Sequence, residues 1–105
     1  MSYYELNNHL IKRLIKNIEH FKAEIKRLNI EDKFIVSSSA IHCCVISGNE
    51  KTKKMATCLQ EKGFNVKAIL SPTVAQGKER LRFCLHAYNS TQEITSLLEN
   101  LAIFV

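Results

Sequence analysis

The chain has 105 residues and a mass of 12.0 kDa, which bounds it to one domain. Its 46% hydrophobic and 24% charged residues exclude a disordered tail and a fibrous repeat, and no apolar run approaches the roughly 20 residues of a membrane span. The net charge of +5 is spread thinly, without the basic face and interleaved aromatics of a nucleic-acid binder, so nucleic acid is not expected as a partner.

Leu10, Leu14, Ile18, Phe21, Ile25 and Leu28 recur every three or four positions, widened by Ile11 and Ile15. This spacing predicts an amphipathic helix over about residues 5–28, with Asn29 as its left-handed terminator. Three heptads are short for a coiled coil, so the stripe is expected to pack on a neighbouring domain. Residues 1–33 are read as an interdomain-type helix, and residues 34–105 as an α+β small domain.

Ile41 to Ser47 is nearly continuous in apolar character and predicts a buried strand. Gly48-Asn49 ends it, and Asn49 is expected to cap a helix with core positions Met55, Ala56 and Leu59. Gly63 closes that helix. Phe64 to Leu70 predicts a second strand. Residues 71–79 form a loop with the only proline, Pro72. Leu81, Phe83 and Leu85 then alternate with Arg80, Arg82, Cys84 and His86 in a third strand. Ser90-Thr-Gln-Glu93 is a capping box that opens a last helix, whose inner stripe is Ile94, Leu97, Leu98 and Leu101. The order is helix, strand, helix, strand, strand, helix. The first two strands form a parallel βαβ unit and the third runs antiparallel to them, giving a three-stranded mixed sheet covered by helices, an α+β fold.

Cys43, Cys44, Cys58 and Cys84 have no zinc or redox spacing, and are read as small buried hydrophobes in a reducing, cytoplasmic setting. The N-terminus carries no signal-peptide pattern. No nucleophile elbow, phosphate loop or His-x-x-x-His occurs, so no metal is expected. His42 and His86 are read as satisfied structural histidines. Arg80 and Arg82 share one strand face, opposite Leu81 and Phe83, where a planar guanidinium can bond both oxygens of a carboxylate. The plainer reading is an arginine pair on a solvated sheet face.

Pro72-Thr73-Val74, Gly77 and Arg80-Leu81-Arg82 resemble the C-terminal hallmark of the α-oxoamine synthases, P-T-V-P-x-G-x-x-R-L-R. The likeness extends to Ser39-Ala40-Ile41, to Val45-Ile46-Ser47-Gly48-Asn49, to Leu59 through Val66, to the capped helix from Ser90 to Leu101, and to Asn17-Ile18-Glu-His-Phe21. Ala40 and Ala75 stand where the family has proline, and Tyr88-Asn89 where it has a residue followed by histidine. Within the family, R-L-R is most similar to the 8-amino-7-oxononanoate synthases of biotin synthesis. The resemblance implies the small domain of a homodimeric, pyridoxal-phosphate-dependent acyltransferase of fold type I. Its reaction would be the decarboxylative condensation of a pimeloyl thioester with L-alanine. It implies that Arg82 binds the substrate carboxylate and that Thr73 lies near the active site. It also implies that the Schiff-base lysine and the other cofactor-binding groups lie in a large domain that these residues do not supply, so that the chain alone holds no pyridoxal phosphate and does not turn over. The alternative from another class is a free-standing α+β interaction or small-ligand regulatory module.

Overall fold

The computed structural model describes residues 3–105, with side chains from residue 7 onward. The elements are α1 (Tyr3–Arg27), a 3-10 turn (Glu31–Lys33), β1 (Ile41–Val45), α2 (Asn49–Glu61), β2 (Val66–Ile69), β3 (Arg80–Cys84) and α3 (Thr91–Phe104). The predicted order holds. So do two of the predicted stops: Asn29 ends α1 at φ 59° and Gly63 follows α2 at φ 91°, both in the left-handed region.

The sheet order is β1-β3-β2, and both pairings are antiparallel. This corrects the expected mixed sheet. β1 and β2 do point the same way, but β3 lies between them, so no parallel pair is hydrogen-bonded. The register shows what the insertion achieves. Leu81 sits between Cys44 and Ala68, and Phe83 between His42 and Val66. The strand that carries Leu81 and Phe83 is therefore central, and these two inward residues are flanked by inward residues on both sides.

One face of this sheet carries the core. Phe21 and Ile25 of α1, Met55, Ala56 and Leu59 of α2, and Ile94, Leu97, Leu98 and Leu101 of α3 bury against Cys44, Val66, Leu81 and Phe83. Each fully buried side chain of this size stabilises the fold by about 1.5–3 kcal/mol. An aromatic cluster ties α1 to the sheet: Phe21 stacks on His42 at 4.4 Å and meets Phe34 edge-on at 5.5 Å. Asn17, buried on α1, donates to the carbonyls of His86 and Asn89, each at 2.9 Å, and so fixes the β3–α3 connection. Further along the same side of α1, His20 Nε2 lies 2.8 Å from Thr95 Oγ1, and Arg27 pairs with Glu24 and Glu99. The Arg27 guanidinium lowers the Glu24 carboxyl below its usual range.

Two predicted caps are altered. The Asn49 side chain does not cap α2; it bonds Ser71 instead, and the N-cap is Gly48. At α3, the Ser90 hydroxyl accepts from the Glu93 amide at 3.1 Å as predicted, but the Glu93 carboxylate turns to Asn89 at 3.3 Å. Only half of the box forms. Among the described residues no helix is long and apolar enough to cross a membrane.

Candidate functional site

All three helices lie on one face of the sheet, which leaves the other face without a covering layer. That face presents Ile41, Cys43 and Val45 from β1, Lys67 and Ile69 from β2, and Arg80, Arg82 and Cys84 from β3. Each is half-buried or exposed, whereas their neighbours Cys44, Leu81, Phe83 and Val66 are at most 2% exposed. The alternation that placed Arg80 and Arg82 opposite Leu81 and Phe83 is thus realised residue by residue.

Arg82 occupies the middle of this face. Its partners across the two ladders are Cys43 and Lys67. Cross-strand neighbours stand about 5 Å apart at Cβ, so Lys67 places a second cation beside the guanidinium. Among the described residues, no carboxylate lies within ion-pair distance of Arg80, Arg82 or Lys67. Arg80 is turned back, its Nε donating to the Lys78 carbonyl at 3.0 Å. Arg82 is the arginine on this face whose fork is left for a ligand. Lys67 was not singled out in the sequence, because its pairing with Arg82 exists only once β2 and β3 are in register.

Thr73 lies in the loop between β2 and β3 and is exposed. No hydrogen bond joins it to Arg82 among the described residues; the strand and the loop carry the two residues separately. The loop is anchored by its neighbours. Ser71 N donates to Asn49 Oδ1 at 3.1 Å, and Ser47 Oγ donates to the Gly77 carbonyl at 2.7 Å. Glu79, 1% exposed, accepts on Oε1 from the amides of Gly48 at 2.8 Å and Gly77 at 3.0 Å. The Gly48 amide, then Glu79's own amide, hold this carboxyl below its usual range against the opposing effect of burial. Glu79 was missed in the sequence, since an acid beside an arginine pair reads as a surface charge.

Two other expectations are corrected. His42 is buried and structural, but its Nε2 has no hydrogen-bond partner among the described residues; desolvation holds its pKa below the ordinary value. Of the four cysteines only Cys44 is fully buried, its thiol pushed up to about 12 by desolvation, while Cys43 and Cys84 reach the open face. All four are free thiols, and no group of metal-ligating side chains forms among the described residues.

A phosphorylated pyridine cofactor does not fit the residues present. The open face offers cations but no carboxylate to pair with a ring nitrogen. The Gly48 amide at the start of α2, where a phosphate would be cradled, is already occupied by Glu79. What the face can do is bind a carboxylate.

Sequence comparison finds 8-amino-7-oxononanoate synthases. The one from Emericella nidulans is 37% identical over 90 residues, covering 84% of this chain and 22% of the relative. The one from Photorhabdus laumondii is 39% identical over 94 residues, covering 88% and 24%. The chain therefore spans about a quarter of the length of these relatives. No protein-family model matches it. Among solved structures, 8-amino-7-oxononanoate synthase from Francisella tularensis superposes with a TM-score of 0.72 at 26% identity, over 88% of this chain and 26% of that one. Serine palmitoyltransferase from Sphingomonas wittichii gives 0.72 at 18% identity, over 89% and 23%, which shows the shared fold alone.

Proposed function

From the premise that this chain is homologous to the small domain of 8-amino-7-oxononanoate synthase, a pyridoxal-phosphate-dependent enzyme of fold type I, we propose that it serves as the carboxylate-binding domain of such an acyltransferase. The reaction is the decarboxylative condensation of an amino acid, L-alanine, with a pimeloyl thioester, in biotin synthesis and in the cytoplasm. The cofactor, held by the portion of the enzyme that this chain does not span, supplies the electron sink for that chemistry. This chain's part is to hold the substrate. Arg82 grips the amino-acid carboxylate through two parallel N–H···O bonds and so fixes the angle of the bond to be broken. Thr73 borders the same site from the loop. The observation that carries this reading is the Arg82 fork, central on an open sheet face and, among the described residues, without an acidic partner.

The remaining portion of the enzyme packs where this chain is apolar and open. In α1, Leu10, Ile11 and Ile15 are 40–50% exposed, whereas Phe21 and Ile25 on the same stripe are buried. The uncovered half of the stripe is the docking surface, and homodimerisation follows in the assembled enzyme.

Complementation tests the proposal. The Photorhabdus laumondii relative, truncated of the quarter that matches this chain, is mixed with the 105-residue chain. Activity returns with the wild-type chain. With Arg82→Ala the amino-acid KM rises about tenfold to a hundredfold, the cost of about 1–3 kcal/mol for a lost charge-assisted pair. An unchanged KM would remove Arg82 from the site. Failure of the wild-type chain to restore any activity, under conditions where the relative's own excised quarter does, would remove the domain assignment.

A further inference from the structure

The loop that carries Thr73 and the strand that carries Arg82 are joined by one residue whose role nothing above assigns. Glu79 closes the loop and immediately precedes β3. Its main-chain carbonyl accepts from Ile46 N at 2.9 Å and Ser47 N at 3.1 Å, which pins the start of β3 to the end of β1. Its side chain reaches across to the amides of Gly48 and Gly77 on a single oxygen. One residue thus grips three segments: the end of β1, the first turn of α2 and the β2–β3 loop.

The backbone around it is shaped for this grip. Ser47, Gly48 and Gly77 all have positive φ, at 67°, 99° and 89°. Two glycines take that conformation at little cost, but Ser47 does not, so the turn persists because its surroundings over-determine it. A carboxylate that is 1% exposed with no cation paired to it among the described residues is costly unless its charge is met by hydrogen bonds. Here the Gly48 amide meets it at the start of α2, where the helix dipole favours a negative charge, together with the Gly77 amide from the loop. Without the Glu79 carboxylate, the loop is tied to the β1–α2 junction by the Ser71–Asn49 contacts at one end and the Ser47–Gly77 bond at the other.

Resting on the reading of Arg82 and Thr73 above, we propose that Glu79 is a positioning residue: its buried carboxylate ties the Thr73 loop to the start of α2 and so fixes that loop relative to the strand that carries Arg82. It does not touch substrate. It makes two separately carried residues into one site.

The test uses the 105-residue chain and 15N–1H NMR. As pH is lowered, the amides of Gly48 and Gly77 shift with one shared midpoint, below the ordinary glutamate range. Through that same midpoint the order parameters of residues 73–78 fall from about 0.85 to below about 0.6, while those of α3 stay unchanged. Glu79→Gln, a neutral mimic of the protonated acid, abolishes the shared titration and leaves the loop at neutral pH as mobile as that of the wild type below its midpoint. Glu79→Ala leaves the loop mobile at every pH. Separate midpoints for the two glycines, no titration, or a loop as ordered in Glu79→Ala as in the wild type would overturn the proposal. If the alanine variant does not fold, the wild-type and glutamine titrations decide it alone. The carboxylate role of Arg82 fails by a different sign: acetate then leaves the Arg82 guanidinium unmoved in the wild type, whatever Gly48 and Gly77 do.

Discussion

The two faces of this three-stranded sheet are built from alternate residues of the same strands, yet they do opposite work. On the covered face, Leu81, Phe83, Cys44 and Val66 are sealed by three helices. On the open face, Arg80, Arg82, Lys67, Cys43 and Cys84 keep their reach to solvent and to whatever docks there. A period of two is enough to place a sealed apolar face and an open charged face back to back on one strand. The covered face should therefore answer to volume, and the open face to charge.

The largest effect belongs to the covered face. Phe83→Ala, at 1% exposure and beside Phe21 and Phe34, should cost about 3–5 kcal/mol, read as a fall in the urea midpoint with an unchanged slope. Its neighbour Arg82→Ala should move the same midpoint by less than about 0.5 kcal/mol, because it leaves no cavity. Equal losses at 82 and 83 would erase the distinction between the faces.

A smaller effect is expected at the cap that orients α3 over the covered face. Ser90→Ala removes the acceptor for the Glu93 amide and should cost about 1 kcal/mol, while Ser90→Asp should retain most of the stability. Thermal unfolding of the three proteins checks the order.

Acid should act on the covered face through His42. Its folded pKa is depressed below 6.5 by burial, so the fold favours the neutral ring. The stability this contributes is full above the unfolded value and is lost as pH falls below about 6.5 toward the folded pKa. The urea midpoint should fall between pH 7 and 5 in the wild type, and fall less in His42→Leu. A flat wild-type profile over that window would contradict the assignment.

How much of this was legible in the sequence divides along local and non-local lines. The stripes of α2 and α3, the stops at Asn29 and Gly63, the Ser90 hydroxyl and the facing of Arg82 depend on residues within a turn or a pleat of one another, and periodicity and capping reveal them. The strand order was not legible. A helix between two like-directed strands suggests a parallel pair, and only the competition for the central place, won by Leu81 and Phe83, puts β3 between them. Glu79 was hidden for the same reason: one of its amide donors, Gly48, is 31 residues away. Asn49 looked like a cap until Ser71, 22 residues on, arrived beside it. The apolar stripe of α1 was visible in its spacing, and the structure shows where along it the cover ends.

The central claim is that the open face is a carboxylate site centred on Arg82. The most direct measurement is the 15N–1H signal of the Arg82 side-chain Nε during titration of the 105-residue chain with acetate and with L-alanine at constant ionic strength. The account predicts a saturable shift at Arg82, with Lys67 following, while Arg13 and Arg27 on α1 stay still. A shift of equal size at all the arginines, or none at Arg82, would contradict it.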